Sequence, residues 1–342
     1  MEGIILNSLS INPYRNLALE EYLLKTCRIH QKPILYLWQN VDTVVVGRNQ
    51  NLFTECNMRF LQEKKILPAR RITGGGAVYH DLGNVNYTII TTRDQYNIEK
   101  NTEIIIDVLK ECGLDAFKNG RNDICTPKGK ISGNAYYSDE FVGLQHGTIL
   151  YQADVATMES ALLISEEKLS KRGIKSVKAR VCDVISQTSN IEISDIKRKI
   201  VHYFLNSYRI EEYTNYIDIE ESEINGLCNK YSSNEWIEGK FKEYSLSKKT
   251  CFSWGETEIS ILLIGKSVSE IEIYTDCIDL AFVARIRKEL HRCIERQTQG
   301  NFPKINLSDD ICVEYNDWII EIDNFLRHIF LEIGINYVDE RM

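Results

Sequence analysis

Three consecutive glycines, Gly74–Gly76, lie between two strand-like segments, and Arg71 lies three residues before the first of them. Because glycine has no Cβ, such a backbone can curl and direct several N–H groups at one anion. A guanidinium beside the turn adds the bidentate geometry that suits a phosphate. Glycines also punctuate ordinary hairpin loops. The turn alone therefore leaves two interpretations open, a phosphate-binding turn and a flexible loop.

Lys130 is the second candidate, because it follows a tight turn at 127–129 and is itself followed by the small residues Ser132 and Gly133. Its ammonium is therefore expected to project toward the ligand of the glycine turn. A cation placed there neutralises the charge that develops when a carboxylate and an α-phosphate join. The alternative is a solvated surface lysine beside Lys128.

Two further positions carry suitable chemistry but remain ambiguous. Asp123 comes before a predicted strand, where a carboxylate can hold Mg²⁺ between phosphate oxygens, yet Asp and Asn are also ordinary turn residues. His146 either lines a substrate pocket or satisfies a core hydrogen bond, which is the commoner role of a single histidine.

Covalent catalysis is not indicated by the sequence. The pair His80 and Asp81 resembles half of a triad, but no Gly-x-Ser-x-Gly elbow is present, and adjacent strand residues point to opposite faces. We expect both to be structural and near the nucleotide. Cys125 is the cysteine placed nearest to these motifs, and a buried structural thiol is expected there.

The composition limits the class of protein. A chain of 342 residues predicts about two domains, and 43% hydrophobic with 26% charged residues is typical of a globular protein. A net charge of -8 argues against a protein that binds nucleic acid through a generally basic surface. The ten cysteines form no C-x-x-C pair, which disfavours a zinc ribbon and predicts reduced thiols.

The N-terminal residues show neither a basic region nor a long apolar run, and no later segment is apolar enough to span a membrane. We therefore expect a cytoplasmic protein with no membrane partner.

Local patterns predict the elements that must position these residues. Apolar spacing predicts helices at 16–26 and 102–112, and Thr54 is expected to cap a helix that runs to about Lys65. Strands are expected at 34–38 and 43–47 as a hairpin, around the glycine turn, and across 124–151, with Gly133 as a bulge or a point of close approach. Adjacent strands with segregated helices indicate an α+β fold rather than a doubly wound sheet. A polar stretch at 244–249 predicts a boundary, with domains at 1–246 and 250–342.

The motifs, in their order and spacing, resemble those of the lipoate–protein ligases of the biotin/lipoyl ligase superfamily. The segments that carry the resemblance are NLALEE (16–21), VVVGRNQN (44–51), RRITGGGAVYHDLGN (70–84), GRND (120–123), KISGNA (130–135), HGT (146–148), and, further on, FSWG (252–255) and YTD (274–276). The resemblance covers nearly the whole chain.

This resemblance implies a large catalytic domain with mixed and antiparallel sheets flanked by helices, and a small α+β accessory domain. It also implies an ATP-dependent reaction with Mg²⁺, in which lipoate gives lipoyl-AMP and pyrophosphate. The lipoyl group then passes to a lysine of an acceptor, either a lipoyl domain of a 2-oxo acid dehydrogenase complex or the glycine cleavage H protein.

Carried over by position, the resemblance implies a set of site residues. Lys130 is the expected catalytic residue, bridging the acyl carbonyl and the α-phosphate. Expected around ATP or lipoyl-AMP are Arg71, Gly74, Gly75, Gly76, Ala77, Val78, Tyr79 and Ser132. Expected near the lipoyl group are Glu21, Thr73, Gly75 and His146, while Asn122 and Asp123 are expected on the Mg²⁺ side. The family often has serine at the position of Thr73, and the loop at 137–142 lacks a basic residue that some members carry.

Three alternatives differ from this interpretation. An ATP-independent octanoyl or lipoyl transferase would use a cysteine nucleophile and would usually lack both the glycine turn and the accessory domain. A biotin ligase would carry a Gly-Arg-Gly-Arg-type loop, which this sequence lacks. A non-catalytic lipoate-binding protein would have lost the lysine or the glycine turn, and both are present.

Overall fold

The computed structural model describes residues 1–163, 181–189, 191–239, 243–306 and 315–338. The chain divides into two compact units. The first comprises Met1–Arg48, Leu52–Thr73 and Ala77–Gly239, and the second comprises Lys240–Met342 with the short stretches Asn49–Asn51 and Gly74–Gly76.

The first unit contains eight described helices and eleven described strands. The helices are α1 Pro13–His30, α2 Leu52–Glu55, α3 Met58–Lys64, α4 Ile98–Glu111, α5 Val155–Ala161, α6 Ile193–Tyr208, α7 Glu221–Ser232 and α8 Asn234–Ile237. The strands are β1 Glu2–Asn7, β2 Ile34–Trp38, β3 Thr43–Val46, β4 Leu67–Arg70, β5 Val78–His80, β6 Asn84–Thr92, β7 Phe117–Asn119, β8 Asp123–Thr126, β9 Gly129–Ser138, β10 Val142–Leu150 and β11 Glu212–Thr214.

Asparagine caps set where three of these helices begin. The side chains of Asn12, Asn57 and Asn97 accept hydrogen bonds from the first backbone N–H groups of α1, α3 and α4. As a result, α1 begins at Pro13 and α4 begins at Ile98, each a few residues earlier than its apolar spacing predicts. The predicted helix capped by Thr54 is wrong, because this segment forms two short helices.

Two sheets form the first unit. The large sheet has eight strands in the order β11-β1-β2-β6-β10-β9-β8-β7, with parallel pairs at β11-β1-β2 and antiparallel pairs from β2 onward. The small sheet has the order β4-β3-β5. The mixed α+β fold predicted from the sequence is confirmed.

The predicted hairpin of β2 and β3 is wrong, because the two strands lie in different sheets. The four residues between them carry the chain from one sheet to the other. The segment between β4 and β5 is not a hairpin loop either, since β3 lies between these strands and pairs with both.

One hydrophobic core contains residues of α1 and of both sheets, and we call it the inter-sheet core. Its buried members are Ile4, Leu17, Ala18, Leu23, Leu24, Cys27, Ile34, Tyr36, Trp38, Val45, Ala69, Ile90, Val142, Leu144 and Tyr231. A separate core contains Val85, Tyr87 and Ile89 of β6, together with many side chains of α4 and α6. Because β6 alternates between these two cores, its even-numbered residues face the inter-sheet core and its odd-numbered residues face the other one.

The second unit contains an antiparallel sheet of β12 Leu246–Phe252, β13 Gly255–Ile264 and β14 Ser267–Thr275, the parallel pair β15 Asn301–Pro303 and β16 Asn336–Val338, and helices α9 Leu280–Arg296 and α10 Asn316–Glu332. Its core is its own, with aromatic contacts such as Phe302 stacked on Phe330 at 4.4 Å.

Candidate active site

A β-bulge places Lys130 against Asp123. Strands β8 and β9 pair with a register shift, so that Asp123 lies opposite Gly133 while Cys125 lies opposite Lys130. The Lys130 Nζ lies 2.6 Å from Asp123 Oδ1, and both side chains are largely buried. A bulge re-aims a side chain in this way, and bulges often occur next to active sites. The extra residue of this bulge is Ile131, whereas Gly133, where the sequence predicted a bulge or a close approach, pairs regularly with Asp123.

Gly133 makes room for the Lys130 ammonium. A Cβ at position 133 would lie 2.7 Å from Lys130 Nζ and 3.0 Å from its Cε, closer than ordinary contact. The predicted close approach at Gly133 is therefore confirmed, and the group that approaches is the side chain of Lys130.

Asn122 and Ser132 take different positions from Lys130. The Asn122 amide donates to the carbonyl oxygen of Asn134 at 3.0 Å, and the Asn134 N–H donates back to the Asn122 carbonyl at 2.8 Å. These bonds hold the segment that leads into Asp123. Ser132 pairs with Ile124 and is fully buried on the face opposite to Gly133. The structure therefore does not bring the Ser132 hydroxyl to the Lys130 ammonium.

A buried carboxylate and an imidazole lie together under the small sheet. His146 of β10 contacts Glu20 of α1, with Nδ1 2.8 Å from Oε1, and its Nε2 lies 2.8 Å from Thr73 Oγ1. All three residues are buried, with Thr73 wholly so. The structure thus brings together two of the predicted lipoate-side residues, Thr73 and His146, and adds Glu20.

The direction of each hydrogen bond at Thr73 follows from a donor at one end. The Arg71 Nε–H donates to Thr73 Oγ1 at 3.0 Å, so the threonine hydrogen is directed to His146 Nε2. With this arrangement of hydrogen bonds, the imidazole carries a hydrogen on Nδ1 and donates it to Glu20.

The same oxygen of Glu20, Oε1, accepts a second hydrogen bond from a group that is held in the same way. The Trp38 indole N–H donates to Thr88 Oγ1 at 3.0 Å, and the Thr88 hydroxyl donates to Glu20 Oε1 at 2.6 Å. The Glu20 carboxylate therefore accepts hydrogen bonds from His146 and Thr88. Each of these donors also accepts a hydrogen bond, and such chains stabilise a buried charge.

Glu21 lies elsewhere. Its carboxylate accepts from Lys230 Nζ at 2.7 Å and from the Tyr231 hydroxyl at 2.6 Å. Successive residues of a helix point about 100° apart, so the residue adjacent in sequence, Glu20, contacts His146 instead. The expectation that Glu21 contacts lipoate stays a prediction.

The two neighbouring arginines have different surroundings. Arg70 is buried and donates to the carbonyl oxygens of Gly47, Arg48, Trp236 and Ile237, which ties the ends of β3 and β4 to α8. Arg71 donates to Val45 O and to Thr73. Burial lowers the pKa of Arg71 to about 10, and the charge of Glu20 opposes this effect. The guanidinium therefore remains charged at neutral pH.

The predicted nucleotide-binding segment divides between the units. Gly74–Gly76 belong to the second unit, where the Gly75 N–H donates to Cys277 O at 3.4 Å and Gly75 has a φ of +87°. Val78 and Tyr79 lie in β5, and Ala77 directly precedes it. In the part of the chain that the structure describes, β5 is an edge strand, so one side of its backbone does not pair within the sheet. The nucleotide contacts expected of these residues stay predictions.

Sequence reasoning missed Glu20 and Thr88. The sequence offered one signal for Glu20, a carboxylate within the helical apolar pattern of α1, at the same spacing as Leu17 and Leu24. It gave no local sign for Thr88, whose role depends on pairing with His146 across β6 and β10.

No helix among the described residues is long and apolar enough to cross a membrane. The nine cysteines in that part of the chain are free thiols.

A comparison with protein families matches residues 12–205 to the Lipoyl protein ligase A/B catalytic domain. Two relatives are named lipoate-protein ligase A. The protein of Psychrobacter cryohalolentis is 33% identical in an alignment that covers 84% of this chain and 87% of the relative. The protein of Bdellovibrio bacteriovorus is 34% identical in an alignment that covers 79% of this chain and 81% of the relative. The chain belongs to the lipoyl protein ligase A/B family. The family expected from the sequence motifs is confirmed.

Solved structures agree with this assignment. The P. falciparum LipL1 protein in complex with lipoate has a TM-score of 0.78 and 26% identity, covering 96% of this chain and 100% of its own. A lipoate-protein ligase A bound with ATP has a TM-score of 0.62 and 26% identity, covering 70% and 100%. The expected enzyme class, a lipoate–protein ligase, is confirmed by this family membership.

Proposed function

We propose that this ligase activates free lipoate with ATP, releases pyrophosphate, and transfers the lipoyl group from lipoyl-AMP to a lysine of an acceptor protein. The observation that carries the proposal is the largely buried pair of Lys130 and Asp123 on β8 and β9, with the buried Glu20–His146 pair on the same face of the large sheet. Similar proteins bound to lipoate and to ATP support the choice of substrates.

In the first step, a carboxylate oxygen of lipoate attacks the α-phosphorus of ATP. A new P–O bond forms and the bond to the β-phosphate oxygen breaks, so that pyrophosphate leaves with the electron pair. The Lys130 ammonium neutralises the charge that develops on the reacting oxygens. Asp123 fixes the lysine until substrate phosphates replace it as partners.

In the second step, the amine of the acceptor lysine attacks the acyl carbonyl. The C–N bond forms, the C–O bond to AMP breaks, and the amine loses a proton to solvent. Acceptors of the proposed kind are lipoyl domains of 2-oxo acid dehydrogenase complexes and the glycine cleavage H protein. A lipoate protein ligase from Thermoplasma acidophilum has been solved with its E2 lipoyl domain, which supports the first class.

Mg²⁺ fits this arrangement only as an ion that arrives with the substrate phosphates. No group of three or more His, Cys, Asp or Glu side chains among the described residues converges on a metal position. The Asp123 carboxylate and the side-chain amide oxygen of Asn122 would hold the ion. Mg²⁺ is often bound through a single carboxylate when phosphate oxygens and waters are its remaining ligands. There it would neutralise charge on the leaving pyrophosphate.

We also propose that residues 1–246 form the catalytic domain and residues 250–342 an accessory domain. Separate hydrophobic cores support two domains, while the compact units divide at Gly239, seven residues before the proposed end of the catalytic domain.

The test is pyrophosphate release with ATP and lipoate, together with intact mass of lipoyl domains and H protein. We expect Lys130→Ala to lose lipoyl-AMP formation. The matched variant Lys128→Ala should retain it, because Lys128 is exposed and its ammonium donates to the Ser186 carbonyl. Near-normal adenylation by Lys130→Ala would contradict the assignment. Acyl exchange without ATP would instead identify an octanoyl or lipoyl transferase.

A further inference from the structure

Thr73, the residue from which the chain enters the glycine turn, is held at both its side chain and its backbone. Its hydroxyl contacts Arg71 and His146. Its carbonyl oxygen accepts from the backbone N–H of Arg48 at 2.8 Å, two residues after β3 ends. The position of Thr73 therefore depends on how Arg48 is held.

The Arg48 side chain lies on the indole ring of Trp236. Its guanidinium carbon is 4.1 Å from the centre of the ring, although Arg48 is an exposed residue. A cation over the face of an aromatic ring is attracted by the ring quadrupole, most strongly for tryptophan, and the planar guanidinium stacks well there. The stack therefore restricts a long side chain that would otherwise sample many rotamers.

Trp236 is itself held by Arg70. Its indole N–H donates to the Arg70 carbonyl oxygen at 2.8 Å, and the Arg70 Nε–H donates back to the Trp236 carbonyl oxygen at 3.0 Å. The Arg70 guanidinium also donates to the Arg48 carbonyl oxygen at 3.2 Å. Arg48 is thus held at its N–H, its carbonyl oxygen and its side chain, and Trp236 supplies the contact with the side chain.

A second cation lies on the same ring and fixes it from α7. The Lys230 ammonium is 4.2 Å from the centre of the Trp236 ring and forms an ion pair with Glu21 of α1 at 2.7 Å. The ring of Tyr231 meets the indole edge-on with the ring centres 5.5 Å apart, and its hydroxyl donates to the same carboxylate. These contacts make the indole a fixed platform for Arg48.

The chain brings Trp236 to this place through a short capped helix. The Ser233 hydroxyl accepts from the Trp236 backbone N–H at 3.2 Å, which begins α8. Both residues lie beyond residues 12–205, the part of the chain that matches the catalytic domain of the family. Trp236 therefore reaches the strands next to the candidate site from outside the matched segment.

We propose that Trp236 is a positioning residue for lipoate adenylation, an inference that rests on the proposed function. Through the stacked Arg48 side chain it holds the Arg48 N–H toward Thr73, and so it sets the place of the Thr73 hydroxyl beside Arg71 and His146. This role needs no contact between Trp236 and a substrate. A group displaced by an ångström in an active site can cost on the order of 100-fold in rate.

The first test changes the ring in the full chain. Trp236→Phe retains an aromatic face for Arg48 but has no indole N–H, whereas Trp236→Leu has neither. Pyrophosphate release at saturating ATP and lipoate should be about tenfold slower in Trp236→Leu and within about threefold of the wild-type rate in Trp236→Phe. An equal fall in both variants would overturn the proposal, because the stack would then not be the contact that acts.

The second test changes the cation. Arg48→Met removes the guanidinium but retains the backbone N–H and an unbranched stem. Because Arg48 is exposed, the variant should unfold in urea as the wild-type chain does, yet its rate of pyrophosphate release should fall about tenfold. A wild-type rate in Arg48→Met would overturn the proposal, whether or not Trp236→Leu folds.

The double variant separates positioning from ordinary packing. If Arg48 and Trp236 act as one unit, Arg48→Met combined with Trp236→Leu should be within about twofold of the slower single variant. Losses that multiply to about 100-fold would show that the two side chains act independently, and would overturn the proposal.

Lys100→Met is the matched control. The Lys100 ammonium lies 3.6 Å from the centre of the Tyr208 ring, so this variant also removes a cation stacked on an aromatic ring of the first unit. Its rate of pyrophosphate release should equal that of the wild-type chain.

The proposed function and the positioning role fail in different ways. A wild-type chain that releases no pyrophosphate from ATP in the presence of lipoate would overturn the proposed function, and this inference with it. An active wild-type chain whose rate is unchanged in Trp236→Leu and in Arg48→Met would overturn the positioning role alone.

Discussion

At the scale of single residues, the most informative side chain is Thr73, because its hydroxyl links a charged donor to a histidine. It accepts from Arg71 and donates to His146, which then donates to Glu20. A hydroxyl is the only small side-chain group that can do both at one atom. The often-found serine of the family retains that ability, so the extra methyl of Thr73 changes shape but not hydrogen bonding.

We therefore expect Thr73→Val to lower the free energy of unfolding by about 1–3 kcal/mol and to reduce adenylation of lipoate. Thr73→Ser should retain most of both. Urea unfolding and pyrophosphate release on the same preparations measure the two effects. Equal behaviour of the valine and serine variants would show that the hydroxyl chain has no role.

His80 gives a second prediction at this scale, one of pH dependence. Its folded pKa of about 3 lies below the ordinary value of 6.5, so the unfolded chain binds one more proton between these limits. The stability that depends on the neutral ring is fully present above about pH 6.5 and is lost as pH falls toward 3, at about 1.4 kcal/mol per pH unit.

His80→Asn should remove this contribution. Urea unfolding at pH 7, 6, 5 and 4 should show a shallower loss of stability in the variant than in the wild-type chain. Parallel curves would mean that His80 titrates normally in the folded protein.

At the scale of elements, the bulge between β8 and β9 decides where the Lys130 ammonium lies. Without the bulge, Lys130 and Gly133 would lie on opposite faces of β9 by strict alternation. The short contact between the Lys130 side chain and Gly133 would then not form. Gly133 is therefore needed for space and not for backbone conformation, since its φ is not in the left-handed region.

Gly133→Ala should reduce the adenylation rate by about tenfold or more, because displacement of a catalytic group by an ångström has costs of this order. The contact involves the mobile end of a side chain, so the fold should survive. Gly226→Ala is the matched control, because a Cβ at that helical position meets nothing within 4 Å and alanine favours the helix. An adenylation rate in Gly133→Ala equal to that of the control would contradict the positioning role.

At the scale of the whole molecule, the two units have separate cores. The residues of the second core lie between Leu246 and Tyr337, and the others lie before Gly239. Separate cores predict separate cooperative transitions.

We expect Phe330→Ala to destabilise only one calorimetric transition and Phe204→Ala only the other, each by about 3–5 kcal/mol because both rings are fully buried. A single transition that both variants shift equally would show that the two units unfold together.

The sequence by itself determined the family, the α+β class, the glycine turn and the candidate residues Lys130, Asp123, Thr73 and His146, because these features depend on residue type and short spacing. Local pattern also indicated the close approach at Gly133, whereas the bulge itself falls at Ile131. It failed where pairing joins distant segments: β2 and β3 were expected to form a hairpin, yet they belong to different sheets.

Only the tertiary structure decided which carboxylate of the Glu20–Glu21 pair contacts His146, because that choice depends on the rotation of α1 against β10. It likewise placed Ser132 on the opposite face from Gly133, and it buried His80, Asn84 and Asn86 so that each has a polar atom without a partner among the described residues. The residue types were visible in the chain, but these side chains lose contact with solvent only after the two sheets pack, so their burial could not be predicted from local sequence.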